Sequence, residues 1–210
     1  MSARIFVASR NAKKIAEMER ILGPLVPGVR VLGLDDVDFY EEPVEDAPDF
    51  TGNALLKARA GFAATGLPSV ADDSGLCVAA LNGMPGVLSA RWSGQPKSDE
   101  RNNTLLLDQL HDVPDERRGA YFTCSIAFVH GEGEENEIVV EGRMDGHVIR
   151  ELRGAGGFGY DVLFVATDTV AVEGEAARTS AELSVAEKDA ISHRGKAMRE
   201  IGPRIAAALG

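Results

Sequence analysis

An α/β fold is predicted by three features of the chain. Ile5-Phe6-Val7-Ala8 is an apolar run of strand length that gives way, at Ser9-Arg10-Asn11, to a helical period. Ser69-Val70-Ala71 is a second apolar run, and it leads straight into Asp72, Asp73, Ser74 and Gly75. Beyond residue 119 the strand signals dominate, with β-type stretches at 120–129 and 137–144 separated by the Gly/Glu-rich residues 131–135.

The elements follow in order. From Ala12, Ile15, Met18 and Ile21/Leu22 share one helical face, with Asn11 as candidate N-cap and Gly23-Pro24 as the stop. Val29 to Leu34 reads as a second strand. An acidic loop spans Asp35 to Asp49, and a helix from about Phe50 to Ala64 follows, capped by Asp49 and stopped near Gly66. The run at 69–71 is read as a strand ending in an Asp-Asp-Ser-Gly turn. Residues 83–92 form a turn leading into a stiff segment. Gly146 to Glu151 reads as a short strand and Asp161 to Val165 as a buried one. Ser184 followed by Glu187 is a capping-box signature for a helix to about Ile191, and a final helix starts near Ser192 despite Pro203. There is no internal repeat, heptad or low-complexity tail. The 210 residues are read as one domain, 1–210, in which the acidic loop can hinge two lobes.

Composition narrows the class. Apolar content of 44% and charged content of 26% are ordinary for a soluble globular protein. A formal net charge of −11 argues against a nucleic-acid or anionic-membrane partner, since both need a basic face. The first residues lack the apolar core of a signal peptide, and no run approaches the roughly 20 apolar residues of a bilayer span. Cys77 and Cys124 sit in apolar segments and read as reduced core residues, which makes the cytoplasm the expected compartment. His111, His130 and His147 have no metal-ligand spacing, and no GxSxG elbow is present, so a zinc site and a serine hydrolase are not expected.

Five segments carry candidate chemistry. Carboxylates at a strand end, as at Asp72 and Asp73, can hold a hard cation such as Mg²⁺. Successive strand side chains face opposite ways, so the two aspartates are expected to have different tasks. Ser9, Arg10, Asn11, Ala12, Lys13 and Lys14 join a strand end to a helix N-terminus, where free N–H groups and the helix dipole suit phosphate. Gly154 to Asp161 places Phe158 among glycines as a face on which a flat base can stack, with Asp161 as an acceptor for ring N–H groups. Lys188, His193 and Arg194 bring cationic donors to a helix junction, and Arg91 is a candidate for phosphate or a partner subunit. Each segment also has a plain structural reading: a surface turn, a capped helix with solvated lysines, a Gly-rich loop with a core aromatic, a structurally bonded histidine, a packed turn with a surface Arg.

Taken together and in order, these segments resemble the Ham1/RdgB-type inosine triphosphate pyrophosphatase family. The resemblance runs from Val7–Lys14 through Phe50–Ala58, Asp72–Leu76, Pro85–Arg91, Gly156–Asp161 and Ala181–Ser184 to Ser192–Lys196. It implies an elongated, two-lobed α/β fold around a long twisted mixed β-sheet with flanking helices, an active-site cleft between the lobes, and a homodimer. It further implies Mg²⁺-dependent cleavage of noncanonical purine nucleoside triphosphates (ITP, dITP, XTP) to the monophosphate and pyrophosphate. By position, Asp73 would be the catalytic carboxylate, holding Mg²⁺ or activating water, and Ser74 would contact substrate. Ser9 to Lys14 would cradle phosphate, and Phe158, Gly159, Tyr160 and Asp161 would receive the base. Lys188, His193 and Arg194 would complete the site.

The chain departs from the family pattern at Gly52, where an acidic residue commonly precedes the Asn of Phe-x-Glu-Asn. Glu45-Asp46-Ala47 replaces a common Glu-Thr-Gly, and Val162 a common Pro. Glu45 is the candidate second metal ligand, with Glu41 and Glu42 as alternatives. Two other functions are weighed beside this one. A Maf-like pyrophosphatase for other modified nucleotides should lack the Ser192-His193-Arg194 pattern, and a nucleotide sensor without turnover has only Gly52 in its favour.

Overall fold

A computed structural model describes residues 4–26, 28–169 and 177–209. The strands are β1 (Arg4–Val7), β2 (Arg30–Leu32), β3 (Ser69–Val78), β4 (Gly119–Val129), β5 (Glu137–Val148) and β6 (Phe164–Ala166). The helices are α1 (Ala12–Leu22), α2 (Phe50–Thr65), α3 (Asp99–Gln109), α4 (Val185–Ile191) and α5 (His193–Leu209). The six strands form one sheet in the order β2-β1-β3-β4-β5-β6. It is mixed: β1 runs parallel to β2 and β3, with Ile5 opposite Val31 and Phe6 opposite Ser69, whereas β5 and β6 are antiparallel, with His147 opposite Val165.

Two compact units make up the chain. The first comprises Met1–Asp73, Cys124–Gly142 and Arg194–Gly210. Its strands bury both faces, as their alternation dictates. Ile5, Val7, Val70, Ile126 and Phe128 pack with Met18 of α1 and with Ala197, Met198, Ile201 and Ile205 of α5. Phe6, Ala8, Ala71, Ala127 and Val129 pack with Ala54 and Ala58 of α2. The small residues let α2 come close: a Cβ at Gly61 would lie 2.8 Å from the Phe6 ring. The second unit comprises Ser74–Thr123 and Arg143–His193. Its core joins Leu76, Leu106, Leu110, Phe122, Met144, Tyr160 and Phe164. Buried Arg118 ties the end of α3 to the end of β5, donating to the carbonyls of Leu110 (2.7 Å), Val148 (2.8 Å) and Ile149 (3.0 Å).

Several sequence expectations need correcting. The Asp-Asp-Ser-Gly run is not a turn: β3 continues through it to Val78 because nine of its ten residues are buried, and the aspartates are engaged by Lys14 and Arg194 at Asp72 and by Lys57 at Asp73. The second strand is only Arg30–Leu32, since Leu34–Asp36 close a 3₁₀ turn in which the Asp36 carboxylate accepts from Gly33 N–H. The strand read at 146–151 is the end of β5, and 161–165 divides into the 3₁₀ segment Gly159–Val162 and β6. Helix α3 was not anticipated. Two buried asparagines, Asn102 and Asn103, interrupt its apolar period, although Ser98 caps it by accepting from Arg101 N–H. The caps read at Asp49 and Ser184 are present as expected. Among the described residues no helix is long and apolar enough to cross a membrane.

Candidate active site

In the first unit the strand alternation separates the two aspartates, and each meets its own partners. Asp73 is 7% exposed. Its Oδ2 accepts from Asn53 Nδ2 at 3.0 Å, and its Oδ1 lies 3.7 Å from Lys57 Nζ. Lys57 Nζ also lies 3.0 Å from Glu45 Oε1, so one ammonium serves two carboxylates. Asn53 and Lys57 stand one helical turn apart on α2 and therefore share a face. Asn53 Oδ1 accepts from Ala47 N–H at 3.0 Å, which fastens the acidic loop beside β3. Burial raises the Asp73 carboxyl above the ordinary range, more than Lys57 and Asn53 lower it. Burial also opposes the Lys57 charge, but the surrounding carboxylates of Asp72, Asp73 and Glu45 outweigh it and keep Lys57 protonated.

Asp72 is the opposite case. Its Oδ2 accepts from Lys14 Nζ at 3.0 Å and from Arg194 Nη2 at 3.0 Å and Nε at 3.3 Å. Arg194 Nη1 reaches Glu17 Oε2 at 2.6 Å. Burial pushes the Asp72 carboxyl up, yet Lys14 and Arg194 together hold it far below the usual carboxylate range. Lys14 and Glu17 are three residues apart on α1, so one helix face supplies both ends of an alternating chain, Glu17–Arg194–Asp72–Lys14. Cys124 Sγ lies 3.8 Å from Asp72, and burial raises its pKa, which keeps it a thiol.

The strand-to-helix junction is built as expected: Asn11 Oδ1 accepts from Lys14 N–H at 3.3 Å and Ser9 Oγ from Asn11 N–H at 3.2 Å. Ala12 opens α1, and the Lys13 side chain lies outside the described residues. Arg10 pairs with Glu42. Of the three acidic-loop candidates it is Glu45 that joins Lys57 and Asp73, whereas Glu41 is exposed.

In the second unit Ser74 is half-buried in β3. Phe158 precedes the 3₁₀ segment Gly159–Val162, which contains Tyr160 and Asp161. The Asp161 carboxylate, 3% exposed, accepts through Oδ2 from Phe158 N–H at 2.8 Å and from Lys188 Nζ at 2.6 Å. Lys188 Nζ stands 5.3 Å from the centre of the Phe158 ring. Gly157, at φ +72°, must be glycine here, because a Cβ would lie 2.2 Å from Asp161 Oδ2. The Tyr160 hydroxyl donates to Ser89 O at 2.9 Å, a core role. His193 is buried and stacks on Phe122 with ring centres 5.0 Å apart. Arg91 closes the 3₁₀ segment Gly86–Arg91.

The sequence profile of the Ham1 family matches residues 5–203. The chain belongs to the Ham1 family. This Ham1 protein is 56% identical over 202 residues to a protein of Mycolicibacterium paratuberculosis named dITP/XTP pyrophosphatase, covering 96% of this chain and 95% of that one. A protein of Nocardia farcinica with the same name is 57% identical over 206 residues, covering 98% and 96%. A solved structure from Mycobacterium abscessus, described as a nucleoside-triphosphatase / dITP/XTP pyrophosphatase, matches with a TM-score of 0.74 at 53% identity, covering 94% of this chain and 98% of that one.

The sequence reading of the Ham1 site residues left out Asn53, Lys57 and Glu17. The first two lie inside the Phe50–Ala58 segment already singled out, and their four-residue spacing was the available signal. Glu17 follows Lys14 by three, a spacing that any surface helix can show, so nothing local marked it as buried.

Among the described residues no group of three or more His, Cys, Asp or Glu is arranged to hold a metal ion. Mg²⁺ does not require such a cage: it takes one or two carboxylates and completes its octahedron with water and substrate phosphate. Asp73 and Glu45 are hard oxygen donors joined through Lys57, and the three side chains sum to one negative charge. They fit a hard divalent cation.

Proposed function

We propose that the protein is a Mg²⁺-dependent nucleoside-triphosphate pyrophosphatase acting on the noncanonical purine nucleotides ITP, dITP and XTP. Water attacks the α-phosphorus, the bond from that phosphorus to the bridging oxygen breaks, and pyrophosphate leaves with the electron pair. The nucleoside monophosphate is the other product, and the modified nucleotide is thereby withdrawn from the pool. The observation that carries this reading is the division of labour at Asp72-Asp73. Asp72 is neutralised by Lys14 and Arg194, while Asp73 meets the Asn53 amide and a lysine shared with Glu45, which leaves the Asp73–Glu45 pair to hold a metal and orient the attacking water.

The remaining roles follow from the groups present. Displacement at phosphorus in a polyanion needs positioning and charge neutralisation more than covalent catalysis. Mg²⁺ held by Asp73 and Glu45 would neutralise phosphate charge as it develops. Ser9 to Lys14 cradle phosphate at the N-terminus of α1, with Lys14 the principal cation and Arg194 acting behind it through Asp72. Ser74 contacts the substrate. The base stacks on Phe158 and meets Asp161, with Gly159, Tyr160, Lys188 and His193 completing its surroundings. A 6-oxo purine presents an acceptor where adenine presents an amino donor, and His193 or a backbone N–H can read that difference. The enzyme works as a cytoplasmic homodimer with neither a nucleic-acid nor a membrane partner.

The test is pyrophosphate release from ITP, dITP, XTP, GTP, ATP and dTTP with Mg²⁺ and with EDTA. Metal-dependent turnover of the first three, far above the others, is expected. Tight ITP binding without any turnover would instead identify a sensor.

A further inference from the structure

Helix α3 has no part in the site as described so far, yet it grips the segment assigned to the base. Gly159 N–H donates to Asp99 Oδ2 at 2.7 Å, and Asn103 Nδ2 donates to Gly159 O at 3.0 Å. Asp99 and Asn103 are four residues apart, so a single face of α3 takes both backbone groups of one residue. That residue is held at φ +61°, a left-handed conformation in which glycine is at ease. On one side of it stands Phe158, whose N–H donates to Asp161, and on the other Tyr160, whose hydroxyl donates to Ser89 O. The residues assigned to the base are thus fastened at 158, 159, 160 and 161.

Asn103 is an uneconomical choice for a purely structural position. It is 4% exposed, and its Oδ1 is buried with no hydrogen-bond partner among the described residues. Turning the amide over would set that oxygen against the Gly159 carbonyl, so the orientation is fixed. An unsatisfied buried acceptor is a cost that a leucine of similar shape would not incur. What leucine cannot do is hold Gly159.

We propose that Asp99 and Asn103 are positioning residues for base recognition: together they clamp Gly159 and so fix the Phe158 ring and the Asp161 carboxylate beside it. The proposal rests on the assignment of Phe158–Asp161 to the base. It deepens that assignment by placing part of the enzyme's base selectivity on a helix outside the segment assigned to the base.

The experiment separates the two halves of the substrate by product inhibition. Inhibition constants for IMP and for pyrophosphate are measured for Asp99→Ala, Asp99→Asn, Asn103→Leu and Phe158→Ala, together with kcat and KM for ITP and GTP and the unfolding midpoint of each variant. Asp99→Ala and Asn103→Leu should raise KM for ITP and the IMP constant about tenfold and narrow the preference for ITP over GTP. The pyrophosphate constant should stay within about twofold. Asp99→Asn, which keeps an oxygen acceptor, should recover most of the loss. Asn103→Leu should do this without lowering the unfolding midpoint, a combination that a structural role would not produce. The clamp is refuted if Phe158→Ala weakens IMP while both α3 variants bind it like the wild type, or if IMP and pyrophosphate weaken together. If Phe158→Ala itself leaves IMP binding unchanged, the base assignment fails and the clamp with it.

Discussion

At Asp72 the carboxylate accepts from Lys14 and Arg194, and Arg194 is shared with Glu17; one peptide further on, Asp73 meets one amide and a lysine divided with Glu45. The two should respond oppositely to loss of charge. The folded-state value of Asp72 lies below the ordinary 3.8, so its stabilising contribution is present above that pH and lost as the pH falls. Asp72→Asn leaves buried Arg194 short of a partner and should cost about 3–5 kcal/mol in chemical denaturation at pH 7. The folded-state value of Asp73 lies above the same 3.8, so the contribution it makes in acid is lost as the pH rises through the raised value, and the ionised form is a burden. Asp73→Asn should therefore keep or raise the unfolding midpoint at pH 7 while abolishing turnover, a trade of stability for activity at one residue. Lys57 is the largest of the influences that lower the Asp73 carboxyl, so Lys57→Met should raise it further in the metal-free protein, which an NMR pH titration of that carboxyl reads. Strand alternation alone made the difference between the aspartates legible. Which of them was neutralised was not, because Arg194 and Glu17 lie 122 and 177 residues from their partners in this network.

The elements show where local signals hold and where they fail. Caps at Asp49, Ser184 and Asn11 were readable because they act over three residues. The ten-residue length of β3 was not, since Asp, Ser and Gly signal a turn unless something outside the segment engages them. Helix α3 escaped because its inward face carries Asn102 and Asn103, which bond to Ser89, Ser93 and Gly159 rather than pack as apolar residues. The two departures at Gly52 and Ala47 prove to be one. A Cβ at position 52 would lie 2.6 Å from the Ala47 Cβ, and the Gly52 N–H is the one that Asp49 caps at 2.7 Å. Gly52→Ala should therefore destabilise the protein even though alanine favours a helix, by about 1–3 kcal/mol as an overpacking cost. Ala47→Gly should relieve most of it. A double-mutant cycle on the unfolding free energy reads the coupling, and additive effects would show that the two side chains do not compete.

On the scale of the whole molecule, a chain of net charge −11 is proposed to take a polyanion. The conflict is met locally: Lys14 and Arg194 gather on the first unit, and Lys188 stands over Phe158 in the second. Long-range repulsion of a triphosphate is a further reason to expect a divalent cation as part of the bound substrate. The fold class was legible in the order of strand and helix signals, and the family in the resemblance of the motifs from Val7–Lys14 to Ser192–Lys196. The joining of Asn53, Lys57 and Asp73 depends on the sheet bringing β3 against α2, and a pattern within either segment carries no trace of it.

The most direct test of the account is to identify the products formed from ITP by the wild type and by Asp73→Asn, with Mg²⁺ and with EDTA. IMP and pyrophosphate in equal amounts are expected from the wild type with Mg²⁺, with turnover lost on chelation and in the variant. Release of IDP and orthophosphate, or turnover by Asp73→Asn equal to that of the wild type, would contradict it.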